Sequence, residues 1–341
     1  MIDDETLARL AADLEYGELP PESFEAAEVL GVTGPARTIF AWSDAIRSEL
    51  RDRILTGELG MPLSSATLIG VGIYRSLGFD EPESSLSPVG GFRLGVIVLG
   101  PDGVRLRSAQ GSGDRRLLPD EVSDVPDDLA DRGPNGVRIA VGGVAFPVTT
   151  VAGYTDLHAS ASGRLAAYAL TADGVAAVTA GHVVDGLEPG RAVTGLSCHG
   201  FPTRLLRRAP GFVDAALVST SCGCRTVTPT GVRRVGQGER VTVRLDDDLV
   251  LDATVMMSLE PTAELLSAAI PLHFLLSAHG AAGDSGAGVA TAAGALCGIY
   301  LGRTKTADRT GATYWYGYAA DLTQAAQMLD VPTASMGDIR G

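Results

Sequence analysis

The sequence is short of cysteine and of positive charge. Four cysteines stand among 341 residues, and 27 lysines and arginines face 41 acidic residues, so the formal net charge is −14. A chain this acidic is poorly suited to bind nucleic acid or an anionic membrane surface, and we expect neither as a partner. Hydrophobic residues still make up 45% of the chain. This predicts a globular protein with enough core for about two or three domains.

Targeting segments are also missing from the sequence. Met1 to Glu5 are acidic and polar, and no apolar core follows them, so no signal peptide is visible. No run has the apolar length of a membrane helix. Because small secreted domains often depend on disulfides, the low cysteine content agrees with a reducing compartment. We therefore predict a cytoplasmic protein with no membrane association.

Residues 1–60 predict a helical segment. Leucine and alanine recur at helical spacing over residues 3–16, a second helix is expected near 21–30, and a third begins near Pro35. The third helix has one apolar and one charged face. We favour a helical cap on the next domain. The alternative is a module that binds a regulatory protein partner or oligomerises.

Residues 61–150 predict a small mixed α/β module. Strands are expected at 68–74, 92–99 and 137–148, with polar loops between them. No motif in this region indicates an activity.

The pattern becomes all-β from residue 151. Asp173-Gly174 between two apolar runs is a hairpin signal. A change near Cys224 separates two sets of strands, and a closing helix is expected at 321–330, followed by a loose tail at 332–341. The other strands are expected at 165–170, 175–180, 191–196, 202–207, 241–245, 249–256, 270–276, 287–292, 295–301 and 313–318.

A serine between glycines lies within the second set of strands. In Gly283-Asp284-Ser285-Gly286 the glycines permit a tight turn that presents the Ser285 hydroxyl. The same turn lets the backbone N–H groups of Gly283 and Ser285 point at one spot, as a tetrahedral oxyanion requires. We therefore predict Ser285 as a nucleophile, with Gly283 and Ser285 forming its oxyanion hole.

Two upstream residues supply what a serine nucleophile needs. His182 follows Ala180-Gly181 at a predicted strand end, and Asp214 precedes an apolar run. A histidine takes the serine proton, and a carboxylate orients the histidine. Asp185 is a weaker candidate for the carboxylate because it lies on the turn just after His182.

These three motifs, in the order His182, Asp214, Ser285, resemble the trypsin/chymotrypsin-like serine peptidases, especially the compact bacterial members. The resemblance implies a mainly β fold. Residues 151–331 would form a trypsin-like double six-stranded β-barrel, preceded by the helical segment and the α/β module. One departure is Ala287, since most members carry a second glycine after the one that follows the serine.

The activity implied by this resemblance is that of a serine endopeptidase. It would hydrolyse protein or peptide substrates through an acyl-enzyme, need no cofactor or metal, and be regulated through its N-terminal region. The alternative is a catalytically weak fold of the same type, kept as a protein-binding or scaffold module.

A substrate pocket is implied on the same grounds. It would be lined by His279, Gly280, Tyr300, Leu301 and Gly302. Because no aspartate stands at position 279, a strict preference for arginine or lysine is not expected. Tyr300 and Leu301 would narrow the pocket towards small or apolar groups. His279 would either favour an acidic side chain or be an ordinary loop residue.

Activation by cleavage is a further implication to weigh. In trypsin itself, a new N-terminal ammonium pairs with the aspartate that precedes the serine, and here Asp284 has that position. Arg138-Ile139 resembles the cleavage site. Since residues 139–141 predict a strand, which is a poor protease site, we expect the uncut chain to be competent. Asp284 would then be held by local hydrogen bonds, as in compact bacterial relatives.

A second interpretation of the cysteines also stays open. Cys198 and His199 with Cys222 and Cys224 would make a zinc site between the two sets of strands. The spacing is not that of a standard zinc ribbon. We favour four free thiols and expect no metal.

Overall fold

The computed structural model describes most of the chain. It covers residues 2–14, 18–19, 21–56, 68–75, 92–99, 138–141, 144–147, 152–156, 163–172, 174–198, 201–210, 213–220, 227–245, 249–261, 272–307 and 313–339. Strands dominate these residues, and none of the described helices is both long and apolar enough to span a membrane.

The helices are α1 Asp4–Leu14, α2 Pro21–Val29, α3 Pro35–Leu55 and α4 Leu322–Met328. The first strands are β1 Leu68–Arg75, β2 Phe92–Leu99, β3 Arg138–Val141, β4 Val144–Pro147 and β5 Ala152–Asp156. The next are β6 Ala167–Thr171, β7 Gly174–Thr179, β8 Ala192–Cys198, β9 Phe201–Arg208, β10 Ala216–Ser219 and β11 Val227–Pro229. The last are β12 Arg240–Arg244, β13 Val250–Pro261, β14 His273–Leu276, β15 Gly288–Thr291, β16 Leu296–Ala307, β17 Thr313–Asp321 and β18 Met336–Ile339.

Six strands of the C-terminal region close into a barrel. The order is β12-β15-β16-β17-β14-β13, and β13 pairs back with β12. All of these neighbours are antiparallel. The barrel interior is filled by alternating apolar side chains such as Val243, Val255, Val289 and Leu276, which are fully buried. Burial of such side chains stabilises the fold by about 1.5–3 kcal/mol each.

The preceding strands form a second sheet of seven strands. Its order is β11-β18-β6-β7-β10-β9-β8. One of its apolar clusters includes Ala177, Leu205 and Val218, all almost inaccessible to solvent. The described residues thus confirm a mainly β fold, with one closed six-stranded barrel and a second sheet of seven strands.

The C-terminal residues correct one expectation. Residues 332–341 were expected to be loose, yet Met336–Ile339 form β18, which pairs with both β11 and β6. Met336 is fully buried in the main core, and the Asp338 carboxylate pairs with Arg244 at 2.7 Å. A short polar-looking tail becomes ordered here because it fills a gap between two strands.

Of the described strands upstream of residue 151, β1 and β2 join the barrel's sheet, whereas β3 and β4 form a two-stranded sheet of their own. β1 pairs with β13 on one side and β2 on the other, so this hairpin widens the barrel's sheet. β5 adds to β16 in the same way. The predicted run 137–148 is a hairpin, β3 with β4, instead of one strand. The expectation of a strand at 139–141 is correct. The domain boundaries at 60, 150 and 331 stay predictions.

The N-terminal helices pack against the barrel with the faces predicted to be apolar. Leu7, Ile39 and Trp42 are buried in the main core, and α3 contacts β1. The ring of Phe40 lies against Gly236, which leaves no room for a side chain there. An ion pair of 2.5 Å joins Arg240 to Asp4. The chain itself thus covers these apolar side chains of the helices.

Candidate active site

His182 lies on a 3-10 turn, Gly181–Val184, that follows β7. His182 is 4% exposed. Gly181 is required before it, because a Cβ there would approach Asp214 Oδ1 to 2.8 Å. The Ala-Gly-His pattern therefore reflects the close approach of the aspartate to the histidine backbone.

Asp214 holds His182 through both of its carboxylate oxygens. Oδ1 accepts the backbone N–H of His182 at 2.7 Å, and Oδ2 lies 2.8 Å from Nδ1. The two side chains are 3% and 1% exposed. A carboxylate at Nδ1 favours the tautomer with the proton on that nitrogen, which leaves Nε2 as a lone-pair acceptor. Nε2 is buried, and no described residue offers it a hydrogen bond.

Ser285 lies on the turn between β14 and β15 and is 5% exposed. Its hydroxyl donates to the carbonyl oxygen of Leu301 at 3.0 Å, so it is turned towards β16 rather than bonded to His182. The turn is flanked by Gly283 and Gly286, with φ of +96° and +91°. Gly286 has a second constraint, since a Cβ there would collide with the Arg164 carbonyl and the Thr179 hydroxyl.

The serine turn and the histidine turn face each other across the boundary of the two sheets. A Cβ on Gly163 would lie 2.6 Å from a methyl of Val183, next to His182, and 3.1 Å from the Ser285 carbonyl oxygen. The structure thus brings His182 and Asp214 into direct contact and places the Ser285 carbonyl oxygen near Val183, the residue after His182. The backbone N–H groups of Gly283 and Ser285 have no acceptor among the described residues.

Asp284 is held by a residue that the sequence analysis missed. Its Oδ1 accepts from Arg164 Nε at 3.1 Å, and its Oδ2 accepts from the Ala281 backbone at 2.8 Å. The expected local hydrogen bond is present. The ion pair, however, comes from 120 positions away in the sequence. Arg164 carried no sequence signal, because only the packing of the two sheets brings it to Asp284.

The predicted pocket residues lie around a buried tyrosine. Tyr300 is fully buried, and its hydroxyl accepts the Gly280 backbone N–H at 2.7 Å. Burial raises the pKa of the Tyr300 phenol, so the ring is neutral. Leu301 supplies the carbonyl bonded to Ser285, and Gly302 has a φ of +147°.

Two residues near His279, Arg303 and Trp315, were not singled out by sequence reasoning. Exposed His279 has its ring 6.3 Å from that of Trp315, and the Arg303 guanidinium lies 4.5 Å over the same indole. Arg303 follows Gly302 on β16, so it was adjacent in sequence to a predicted pocket residue. Its stacking on Trp315 depends on the pairing of β16 with β17.

A second buried histidine, His273, lies close enough to Asp214 to feel its charge. His273 is stacked on Tyr318 with ring centroids 4.7 Å apart. Burial lowers the pKa of His273 to about 3, although the charge of Asp214 opposes this shift. Burial also raises the pKa of Tyr318. Both rings are therefore neutral and form an apolar backing near Asp214.

The cysteine hypotheses are only partly covered by the structure. Cys297 is buried, its thiol donates to the Val289 carbonyl at 3.3 Å, and burial raises its pKa, so it is an unreactive core thiol. The proposed zinc ligands His199, Cys222 and Cys224 lie outside the described residues. Within the described part of the chain, no group of three or more potential metal ligands is found.

Comparisons with known proteins gave matches only among solved structures. No family model matches the chain, and no curated protein does. Thermobifida fusca Protease A is 15% identical over 50% of this chain and 90% of its own, with a TM-score of 0.37. Nocardiopsis Protease is 16% identical over 52% and 92%, with a TM-score of 0.36. The HtrA-type protease AlgW, bound to a decapeptide, is 14% identical over 78% and 63%, with a TM-score of 0.33.

Proposed function

We propose that the protein is a serine endopeptidase with Ser285 as nucleophile, His182 as base and Asp214 as the orienting carboxylate. The main support for this proposal is the environment of the His182 ring. A histidine buried against a carboxylate at 2.8 Å has its other ring nitrogen also buried and without a hydrogen-bond partner among the described residues. A buried acceptor left without a donor costs free energy, which is expected where a function requires it.

The chemistry begins with rotation of the Ser285 hydroxyl from the Leu301 carbonyl to His182 Nε2. As Oγ forms a bond to the substrate carbonyl carbon, its proton moves to Nε2, and Asp214 stabilises the imidazolium. The negative carbonyl oxygen accepts from the N–H groups of Gly283 and Ser285. The peptide C–N bond then breaks, with the Nε2 proton passing to the leaving amine. Water then forms a bond to the acyl carbon while its proton moves to Nε2. The bond from Oγ to that carbon breaks, and Oγ takes the proton back from Nε2.

Two further features of the proposal rest on the sequence. We place the enzyme in the cytoplasm, because the chain is acidic and low in cysteine. We also propose that the helices α1–α3 regulate it, because they pack on β1 and on the segment that leads into the barrel. A partner that displaced them would act on the barrel that carries Ser285.

A second candidate is a catalytically weak scaffold of the same fold. The observation that favours it is the Ser285 hydroxyl, which donates to Leu301 instead of to His182. A serine kept in this rotamer would not be activated.

Labelling with a fluorophosphonate separates the two candidates, because the reagent requires an activated serine. We expect one adduct on the full-length protein, located at Ser285 by peptide mass spectrometry and lost in Ser285→Ala. Ser277→Ala is the matched control. It removes another partly buried barrel hydroxyl, one that accepts from the Thr254 N–H at 2.9 Å. A folded wild-type protein that takes no label would favour the scaffold.

A further inference from the structure

Arg164 touches the Ser285 turn at two separate points. Its guanidinium Nε lies 3.1 Å from Asp284 Oδ1, and its backbone N–H donates to the Ser285 carbonyl at 2.8 Å. The residue thus contacts both a side chain and a main-chain group of consecutive residues. No other described residue is bonded to both Asp284 and Ser285 from outside the turn.

The segment that carries Arg164 is hydrogen-bonded to the seven-stranded sheet. The Arg164 carbonyl accepts from the Thr179 hydroxyl at 2.7 Å, and Ala166 N–H donates to Val178 at 2.7 Å. Both partners lie on β7, three or four residues before His182. Arg164 therefore links β7, the strand that leads into the His182 turn, to the turn that carries Ser285.

The Asp284 charge requires such a partner. Its side chain is only 11% exposed. A carboxylate removed from water is costly unless it is paired and hydrogen-bonded. The Ala281 N–H supplies one bond from within the turn, and the Arg164 guanidinium supplies the opposite charge. Without Arg164, we expect the Asp284 side chain to turn towards solvent.

Movement of Asp284 would displace the predicted oxyanion donors. The peptide group that follows Asp284 carries the Ser285 N–H, and the Gly283 N–H lies one residue before Asp284 in the same turn. Donors of this kind stabilise an oxyanion only when their direction is fixed. The position of the Asp284 side chain therefore affects how well these two N–H groups stabilise it.

We propose that Arg164 is a positioning residue that holds the oxyanion hole of Ser285 in its working geometry without cleavage of the chain. This inference rests on the proposed peptidase activity. It adds that the cation completing the site comes from inside the intact chain.

The test compares Arg164→Gln and Arg164→Lys with wild type in the full-length protein. Arg244→Gln is the matched control, since it breaks another partly exposed ion pair of 2.7 Å, to Asp338, on the strand β12 that pairs with β15 beside the Ser285 turn. We expect Arg164→Gln to lower kcat and the fluorophosphonate labelling rate by about 10²–10³, the effect of losing an oxyanion donor, with little change in KM. Arg164→Lys should restore most of the rate, because it restores the charge. Intact mass confirms that each protein is uncut.

A merely structural role would give a different pattern. It would lower the melting temperature of Arg164→Gln and Arg164→Lys together and leave kcat per folded molecule unchanged, as it should be in Arg244→Gln. Wild-type labelling rates in Arg164→Gln would overturn the proposal.

Hydrogen exchange keeps the proposal testable if wild type itself takes no label. We expect backbone amides over 279–288 to exchange at least about tenfold faster in Arg164→Gln than in wild type or Arg244→Gln, as local opening predicts. Unchanged exchange there would contradict the proposed role of Arg164. A wild-type protein without label, but with faster exchange in Arg164→Gln, would contradict only the peptidase activity.

Discussion

The His182–Asp214 half of the site and the Ser285 half are held in different ways. Asp214 binds the histidine at its backbone and its ring, and both side chains are buried in one sheet. The Ser285 turn lies on the closed barrel, directs its hydroxyl to Leu301, and depends for one ion pair on Arg164 in the other sheet. The first half is preassembled within its own sheet. The second is completed only where the two sheets meet.

The largest effect is expected when the serine half is removed. Ser285→Ala should abolish turnover, a loss of about 10⁶ for a triad nucleophile. Since one hydrogen bond, to Leu301, is lost, the melting temperature should fall by no more than about 2–4 °C. A low-field imidazole proton resonance from the His182–Asp214 pair should remain. Retained turnover would remove Ser285 from the mechanism, and loss of the resonance would show that the two halves are not independent.

Breaking the histidine half should have the next largest effect. Asp214→Asn should reduce turnover by about 10⁴, because an amide favours the wrong tautomer of His182. The low-field resonance should vanish. Asp185→Asn is the control: this exposed residue pairs with Arg208 at 2.9 Å and should keep its turnover. A change below tenfold in Asp214→Asn would assign the orienting role to another carboxylate.

The buried tyrosine tests whether the barrel half also sets substrate preference. Tyr300→Val should open space beside Gly280 and shift kcat/KM towards larger side chains by about 10–10². It should also cost about 2–5 kcal/mol of stability, because a large buried group is removed. Tyr300→Phe keeps the ring and should keep the preference. Peptide libraries read out the preference. An unchanged profile in Tyr300→Val would place the pocket elsewhere.

The second buried histidine gives a smaller effect, on stability and its dependence on pH. His273 stays neutral when folded down to a pKa of about 3, whereas in the unfolded chain it gains a proton below its ordinary value of 6.5. The unfolded state therefore binds more protons in that window. The titration of His273 therefore lowers the free energy of unfolding as the pH falls, by up to about 1.4 kcal/mol per pH unit.

His273→Phe should remove this part of the acid sensitivity. Denaturant unfolding between pH 3 and 6.5 should show a flatter dependence on pH than in wild type. His279→Gln, which changes an exposed ring, should leave the dependence as it is. A wild-type slope in His273→Phe would mean that this ring is protonated in the folded protein.

The smallest effect is expected at the trypsin-like cleavage motif. Arg138→Gln should label at Ser285 as fast as wild type, because Arg164 already neutralises Asp284 in the uncut chain. Arg138 also begins β3, which is paired with β4 and therefore resists a protease. Intact mass and labelling rate are the measurements. A mutant that labels only when supplied as a fragment starting at Ile139 would restore activation by cleavage.

Much of this architecture was predictable, because it depends on residues close together in the sequence. Helical spacing marked both ends of α1 and α2 within two residues and the start of α3, and alternating apolar runs marked most of the strands. The glycines around Ser285 and the glycine before His182 gave local signals for the two turns, since each reflects a backbone with no room or no freedom for a side chain.

The rest was decided only when distant segments packed together. Arg164 and Asp284 are 120 positions apart, and no pattern in the sequence links them, because an ion pair leaves no periodicity. The same holds for β18, which filled a place between β11 and β6, and for β1, which joined β13. The sequence by itself determined which local conformations and which reactive groups the protein has. The tertiary structure decided which strand edges pair, which charges meet and where the Ser285 hydroxyl points, because these depend on contacts across sheets and not on neighbours along the chain.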